Sequence, residues 1–198
     1  MKCLIVTAHP LANSLCASLA GHALTCLKTA GHNVVVEDLY QDSFQPALTE
    51  AERDSYYSDK FEYQAIEKQV ENLQTAEAIV LVFPTWWFGF PAIMKGWFDR
   101  VWGPGIAYDH TENFGPIKAR LLDLKNMLAI TTYGVPWWID TLIMRRPTRR
   151  ILKTALLSTC APNCKFEMLS AYKCEDLSES DVNRLQGRIG KVLKGWVV

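Results

Sequence analysis

The run "AEAIVLVFP", residues 76–84, limits the fold more than any other stretch, because from Ala78 to Pro84 it contains no polar side chain. A half-exposed strand alternates apolar and polar residues. A strand covered on both faces reads instead as a continuous apolar run, and parallel sheets with helices on both sides are where such strands occur. Four other short segments read as strands: "CLIVTA" (3–8), "HNVVVEDLY" (32–40), "KNMLAITTYG" (125–134) and "KFEMLSAY" (165–172). Segments of helical composition or period lie between them. These are Leu15 to Thr29, closed by Ala30-Gly31; Phe61 to Thr75, with Ile66, Val70 and Leu73 on one face; Ala92 to Val101; Ile139 to Ser158, broken at Pro147; and Ser178 to Trp196, with Ser178 as N-cap. Residues 41–57 are polar and turn-rich, and "WGPGIAYDHTENFGPIKARL" (102–121) reads as a long irregular stretch.

Strand and helix in alternation predict an α/β fold, a doubly wound five-stranded parallel sheet with helices on both faces. With 198 residues, 49% of them hydrophobic, one core suffices, and a single domain over 1–198 is expected. If the strand order is the flavodoxin-like 2-1-3-4-5, the winding reverses between the first and third strands. The loops leaving at His9 and Pro84 then face one crevice.

Twenty-one basic and 21 acidic side chains cancel, so no global field draws the chain to nucleic acid or an anionic membrane. The opening "MKCLIVTAHP" has too short an apolar run for a signal peptide. The uncharged window 78–94 falls short of the ~20 residues a membrane span needs and is interrupted by Pro84, Gly89 and Pro91. A cytoplasmic protein without membrane insertion is expected. The six cysteines include no C-x-x-C pair and only four histidines accompany them, so no metal site is expected.

Three loops carry the candidate chemistry. "HPLANS" runs from a strand into a helix, where unpaired N–H groups and the helix dipole attract an anion. His9 adds a ring N–H, and Asn13 and Ser14 either assist a phosphate or simply cap the helix. Neither G-x-G-x-x-G nor G-x-x-x-x-G-K-[ST] is present, which argues against a Rossmann dinucleotide site or a nucleotide triphosphatase. "PTWWFGFP" offers aromatic faces, and Gly89 lets the backbone approach a planar ligand; the same residues also suit a satellite core or a dimer patch. "TTYG", Thr131 to Gly134, ends the fourth strand with small and polar residues able to edge a ring.

In order and spacing, "AHPLANSL", "FPTWWFGFPAIMKGWFDRVW", "GIAY" and "TTYG" resemble the NAD(P)H:quinone oxidoreductase family of flavodoxin-like flavoproteins. The resemblance covers Cys3 to about Gly134. It implies a homodimeric two-electron reductase with a site completed by the second subunit. Flavin binding would fall to His9, Asn13, Ser14 and Leu15 at the phosphates, to Pro84, Thr85, Trp86, Trp87, Phe88 and Gly89 along the isoalloxazine, and to Thr131, Thr132, Tyr133 and Gly134 at its other edge. NAD(P)H would be the electron donor and a quinone or similar electrophile the acceptor, in a ping-pong sequence.

Mammalian members carry a Tyr and a His after the third loop that help hold negative charge on the reduced ring. Here the stretch reads "VPWWIDTLIMRRP". The backbone N–H groups of 131–134 and the hydroxyl of Tyr133, with Gly134, are the substitutes the residues offer as catalytic groups, and Trp137 and Trp138 shape a substrate slot. FAD is the expected cofactor; Leu15 and Cys16 stand where FAD-binding members often have Phe and Asn, a departure at the adenosine half that keeps FMN as the alternative. "RRPTRR", with Arg145, Arg146, Arg149 and Arg150, is either a phosphate clamp or a solvated helix face. Asp99 and Arg100 read as a structural pair, and Tyr108 and His110 as a surface loop. The resemblance also extends to flavoprotein subunits that regulate potassium-efflux transporters, the alternative to an enzyme.

Overall fold

The computed structural model describes residues 1–58, 60–111 and 115–196. Its main sheet takes β1 (Lys2–Thr7), β2 (Asn33–Asp38), β3 (Ala78–Pro84), β6 (Asn126–Tyr133) and β7 (Lys165–Tyr172) in the order β2-β1-β3-β6-β7. Every pairing is parallel, so the five long strands follow the 2-1-3-4-5 order. β3 lies at the centre and is buried at each position, which is why its sequence has no polar alternation.

Alternate residues of the strands feed two separate cores. On one face Ile5, Val80, Val82, Leu128 and Ile130 pack against Leu19, Ala23 and Leu27 of α1 (Leu15–Thr29) and Leu185, Ile189 and Leu193 of α7 (Glu179–Lys194). On the other, Leu4, Val6, Leu81, Phe83 and Ala129 meet Val70 and Leu73 of α3 (Glu67–Thr75) and Met94, Trp97 and Val101 of α4 (Ala92–Val101). Ser14 and Ser178 cap α1 and α7 through their hydroxyls, and Ser178 forms a capping box with Asp181.

Between Ile139 and Cys160 the backbone departs from a plain helix. A π-helical turn at Ile139–Ile143 ends before Arg145 and Arg146, which both sit in the left-handed region at φ 56° and 51°. Pro147 then restarts the chain as the first residue of α5 (Pro147–Arg150), which continues through π-helical Ile151–Leu157 into α6 (Ser158–Cys160). The expected break at Pro147 is present, since proline's fixed φ favours the first helical position.

The turn-rich 41–57 segment contains a helix after all, α2 (Glu50–Asp54), continued by a 3-10 turn at Ser55–Tyr57. Thr49 and Glu52 form its capping box, with Glu52 Oε2 accepting from Thr49 N–H at 2.8 Å. Phe61–Tyr63 stay outside the next helix, which begins with a 3-10 turn at Gln64–Ile66 before α3. The irregular 102–121 stretch holds a short antiparallel pair, β4 (Tyr108–Asp109) and β5 (Lys118–Ala119); its residues 112–114 lie outside the described set.

Asp99 and Arg100 do not pair with each other, because neighbours on a helix point apart. Asp99 pairs with Lys95 one turn earlier at 2.5 Å. Arg100 reaches Glu52 at 2.6 Å, and both side chains are buried. Burial opposes ionisation of Glu52, but the hydrogen bonds from Arg100 and from Thr49 outweigh it and hold the carboxyl below the ordinary range. Tyr108 is half-buried, its hydroxyl 2.6 Å from that of Tyr56, and exposed His110 packs on Tyr57, so this stretch is more than a plain loop.

Candidate active site

β1, β3 and β6 are adjacent in the sheet, with Thr7 in register with Val82 and Pro84 with Thr132. Their carboxyl ends therefore release the 8–14, 85–91 and 134–138 segments side by side. Thr85 fastens two of them, its N–H and its hydroxyl both donating to the Thr132 carbonyl at 2.9 Å. Cys16 Sγ lies 3.7 Å from Thr132 Oγ1 and joins the start of α1 to the same edge.

At the first loop, His9 Nδ1 accepts from Leu11 N–H at 3.0 Å. An imidazole that accepts through Nδ1 carries its proton on Nε2 when neutral, so Nε2–H is the donor left for a ligand. Leu15 and Cys16, in the first turn of α1, have N–H groups with no acceptor among the described residues, and that turn has no acidic residue. Asn13 is exposed beside them, whereas the Ser14 hydroxyl is engaged with Ala17 N–H at 3.2 Å. The donors match an anionic group such as a flavin phosphate.

Residues 86–89 form a tight turn closed by Gly89 N–H to the Trp86 carbonyl at 3.0 Å. Its central residues Trp87 and Phe88 have φ of 52° and 59°, the signs of a type I′ turn, which glycine and asparagine normally occupy. The loop's conformational demand thus falls one and two residues before Gly89. Gly89 itself is outside the left-handed region, and a Cβ there would meet only the Trp86 carbonyl oxygen, at an ordinary 3.7 Å. Trp87 stands 98% exposed and Trp86 44%, while Phe88 is half-buried with its carbonyl accepting from Thr148 Oγ1 at 2.8 Å. The N–H groups of Trp87 and Phe88 have no acceptor among the described residues.

At the third edge, Thr131 is fully buried and its hydroxyl faces Ser170 Oγ at 3.1 Å, away from the crevice. Tyr133 is also turned inward. Its ring stacks on Tyr172 at 5.0 Å, and its hydroxyl, buried and without a partner among the described residues, has its ionisation suppressed by burial and by nearby Asp140. The exposed elements here are the backbone around Gly134 and the Trp137 and Trp138 side chains. Two residues that sequence reasoning passed over, Asp140 and Tyr172, lie behind this edge, with Tyr172 O–H donating to Asp140 Oδ2 at 2.8 Å.

A crevice at the switch point of a 2-1-3-4-5 sheet, edged by a helix start with free N–H donors and by an aromatic turn, fits a flavodoxin-like protein. The family model described as flavodoxin-like fold matches residues 1–188. NAD(P)H dehydrogenase [quinone] 1 of Rattus norvegicus is 32% identical over 209 residues, an alignment covering 87% of this chain and 75% of the rat protein. The uncharacterized NAD(P)H oxidoreductase YcaK of Escherichia coli K12 is 37% identical over 105 residues, 52% of this chain and 54% of that one. The crystal structure of Smu.1420 from Streptococcus mutans UA159 superimposes with a TM-score of 0.80 at 26% identity, covering 99% of this chain and 100% of the other. The chain belongs to the NAD(P)H:quinone oxidoreductase family and is an oxidoreductase.

Proposed function

We propose that the protein is a flavin-dependent NAD(P)H oxidoreductase that reduces quinones or similar electrophiles by two electrons, through ping-pong half-reactions, with FAD as cofactor and FMN as the shorter alternative on the same loops. The observation that carries this is the strained 86–89 turn at the end of β3, whose Trp87 and Phe88 N–H groups have no acceptor among the described residues and whose tryptophans are exposed. Bound flavin supplies hydride acceptance from the nicotinamide and delivery to the acceptor.

The chain's own groups do the rest. His9 Nε2–H and the N–H groups of Leu15 and Cys16 hold the phosphate, and Asn13 and Ser14 shape the approach. Pro84, Thr85, Trp86, Trp87, Phe88 and Gly89 line the ring system, and Thr132 and Gly134 bound its far edge. Donors fixed before the reaction stabilise developing negative charge without reorganising, and that role belongs here to backbone N–H groups of the aromatic turn and the Gly134 loop. Tyr133 supports this edge from inside through its stack on Tyr172; its buried hydroxyl supplies no direct donor. A second copy of the chain covers the exposed Trp86, Trp87, Leu142, Ile143 and Ile151, a large apolar area to leave in water.

Purified protein is expected to be yellow or to take up added FAD or FMN, and its flavin bands are expected to bleach on anaerobic addition of NADH or NADPH and return with a quinone. Failure to bind either flavin would overturn the reading. Binding without bleaching by either nicotinamide would reject the reductase and leave a flavin-holding regulatory module.

A further inference from the structure

A second concave site lies behind the Gly134 edge. It has a volume of 280 Å³, and its lining includes Asp140, Arg146, Arg149, Ser170, Tyr172 and Arg188. At the lower edge of the ~300–1,000 Å³ that a drug-sized ligand fills, it suits one end of a larger molecule. Its arginines come from separate elements and do not form the solvated face of one helix: Arg146 precedes α5, Arg149 lies in it, and Arg188 projects from α7.

Two of the three are held in place. Arg146, in its left-handed conformation, donates its N–H to the Asp140 carbonyl at 2.8 Å and its Nε–H to Thr141 Oγ1 at 3.2 Å. The Arg149 guanidinium lies over the Phe166 ring, 5.2 Å from its centre. Among the described residues none of the three forms a salt bridge, so most of their donors are free. Asp140, 2% exposed, accepts from Tyr172 O–H through Oδ2, but its Oδ1 is buried without a partner among the described residues. An unsatisfied buried acceptor is destabilising, and a ligand hydroxyl would relieve it.

The site thus asks for a ligand with an anion and a hydroxyl close together. Three guanidiniums against one carboxylate leave the lining positive, which suits a phosphate; Asp140 Oδ1 suits an adjacent O–H. A sugar bearing a phosphate and a vicinal hydroxyl has both. An unphosphorylated ribose diol would satisfy Asp140 and leave the arginines without an anion. The site also borders the proposed crevice: Tyr172 stacks on Tyr133 of β6, and Thr148, between Arg146 and Arg149, bonds the Phe88 carbonyl. We propose that this groove binds the 2′-phosphoribose of NADPH, with Arg146, Arg149 and Arg188 on the phosphate and Asp140 on the 3′-hydroxyl, making the protein NADPH-selective. This rests on the nicotinamide-dependent reductase reading.

The test titrates adenosine 2′,5′-bisphosphate and adenosine 5′-phosphate calorimetrically into flavin-loaded wild type, Arg149→Gln and Arg188→Gln, and measures flavin affinity and NADPH and NADH turnover of each. Arg188 is exposed, so its replacement keeps the fold. Because hydrogen bonds to charged groups are worth ~1.5–3 kcal/mol, wild type is expected to prefer the 2′-phosphate compound by tenfold or more, and each substitution to lower both that preference and the NADPH-to-NADH ratio of kcat/KM about tenfold. Equal binding of the two nucleotides with NADH and NADPH both reducing the flavin would overturn the groove and leave the reductase standing. A loss of flavin affinity with the 2′-phosphate preference intact would give the arginines to the flavin's own phosphate and likewise overturn it. No flavin reduction by either nicotinamide would sink the reductase reading, and this inference with it.

Discussion

Replacing Trp87 by glycine separates a turn built for a ligand from one built for packing. Holding an L-residue in the left-handed region costs roughly 1–2 kcal/mol, which glycine does not incur. Glycine returns part of this by losing about 0.5–1 kcal/mol more backbone freedom on folding. The indole is 98% exposed in the single chain, so its removal gives up almost no buried surface. For Trp87→Gly the sum is a stability change between about zero and +1.5 kcal/mol in favour of the variant, a rise of up to ~6 °C in Tm for a chain of this size. Urea unfolding of the flavin-free protein, at a concentration where sedimentation shows monomer, reads that number. Fluorescence titration with FAD reads the other half: affinity is expected to fall, because the freed backbone no longer presets the N–H groups of residues 87 and 88. A loss of more than about 1 kcal/mol in the monomer would show that the indole is packed and the strain argument wrong. Unchanged flavin affinity would remove the turn from the flavin site.

Two predictions concern the support of α4. A Cβ at Gly96 would overlap the backbone of Pro46, so Gly96→Ala forces the 44–49 segment off the helix and is expected to cost at least the ~1–3 kcal/mol of an overpacked site, read by urea unfolding; an unchanged midpoint would mean that the segment is not docked. Glu52 has its folded-state pKa held below its unfolded value, so its contribution is complete above the ordinary glutamate pKa and fades as pH falls through the folded value. Unfolding free energy measured from pH 7 down to pH 3 should therefore drop in wild type, and Glu52→Gln, which strands the buried Arg100 charge, should be ~3–5 kcal/mol less stable at pH 7 with a shallower acid limb. An acid limb of equal slope in the two proteins would refute the assignment.

The sheet was legible because its information is periodic. Ala78 to Pro84 could not belong to a strand with one wet face, and the capped segments Leu15 to Thr29 and Ser178 to Trp196 announce their starts through a hydroxyl followed by helical composition. Elements that depend on tertiary partners were less readable. α2 has five residues, and its Thr49–Glu52 capping box gains its weight from Arg100, 48 positions away, which only the folded chain brings to Glu52. The box itself was the available signal, T-x-x-E ahead of a short helical turn. The left-handed pair Arg145 and Arg146 has no local signal, since arginine does not seek that conformation; only the following Pro147 marks the restart.

At the site, the sequence shows which segments meet and not which atoms face the crevice. Parallel winding brings the ends of β1, β3 and β6 together whatever their side chains do, so His9, Thr85 and Gly134 could be placed from strand order alone. Side-chain direction follows from the alternation along each strand and from what the neighbouring strand offers. Thr131 turns to Ser170 and Tyr133 to Tyr172 because β7 pairs with β6 in that register, a pairing between residues 39 positions apart. The same register explains why a hydroxyl expected at the ring edge is buried instead. Tyr133 lies beside Asp140, and the donors in the proposed site are the backbone N–H groups of Trp87 and Phe88, whose direction is set by the strained turn rather than by residue type. A chain that keeps two aromatics in a glycine conformation at the switch point holds its donors by backbone geometry, and backbone geometry is the property that residue identities describe least.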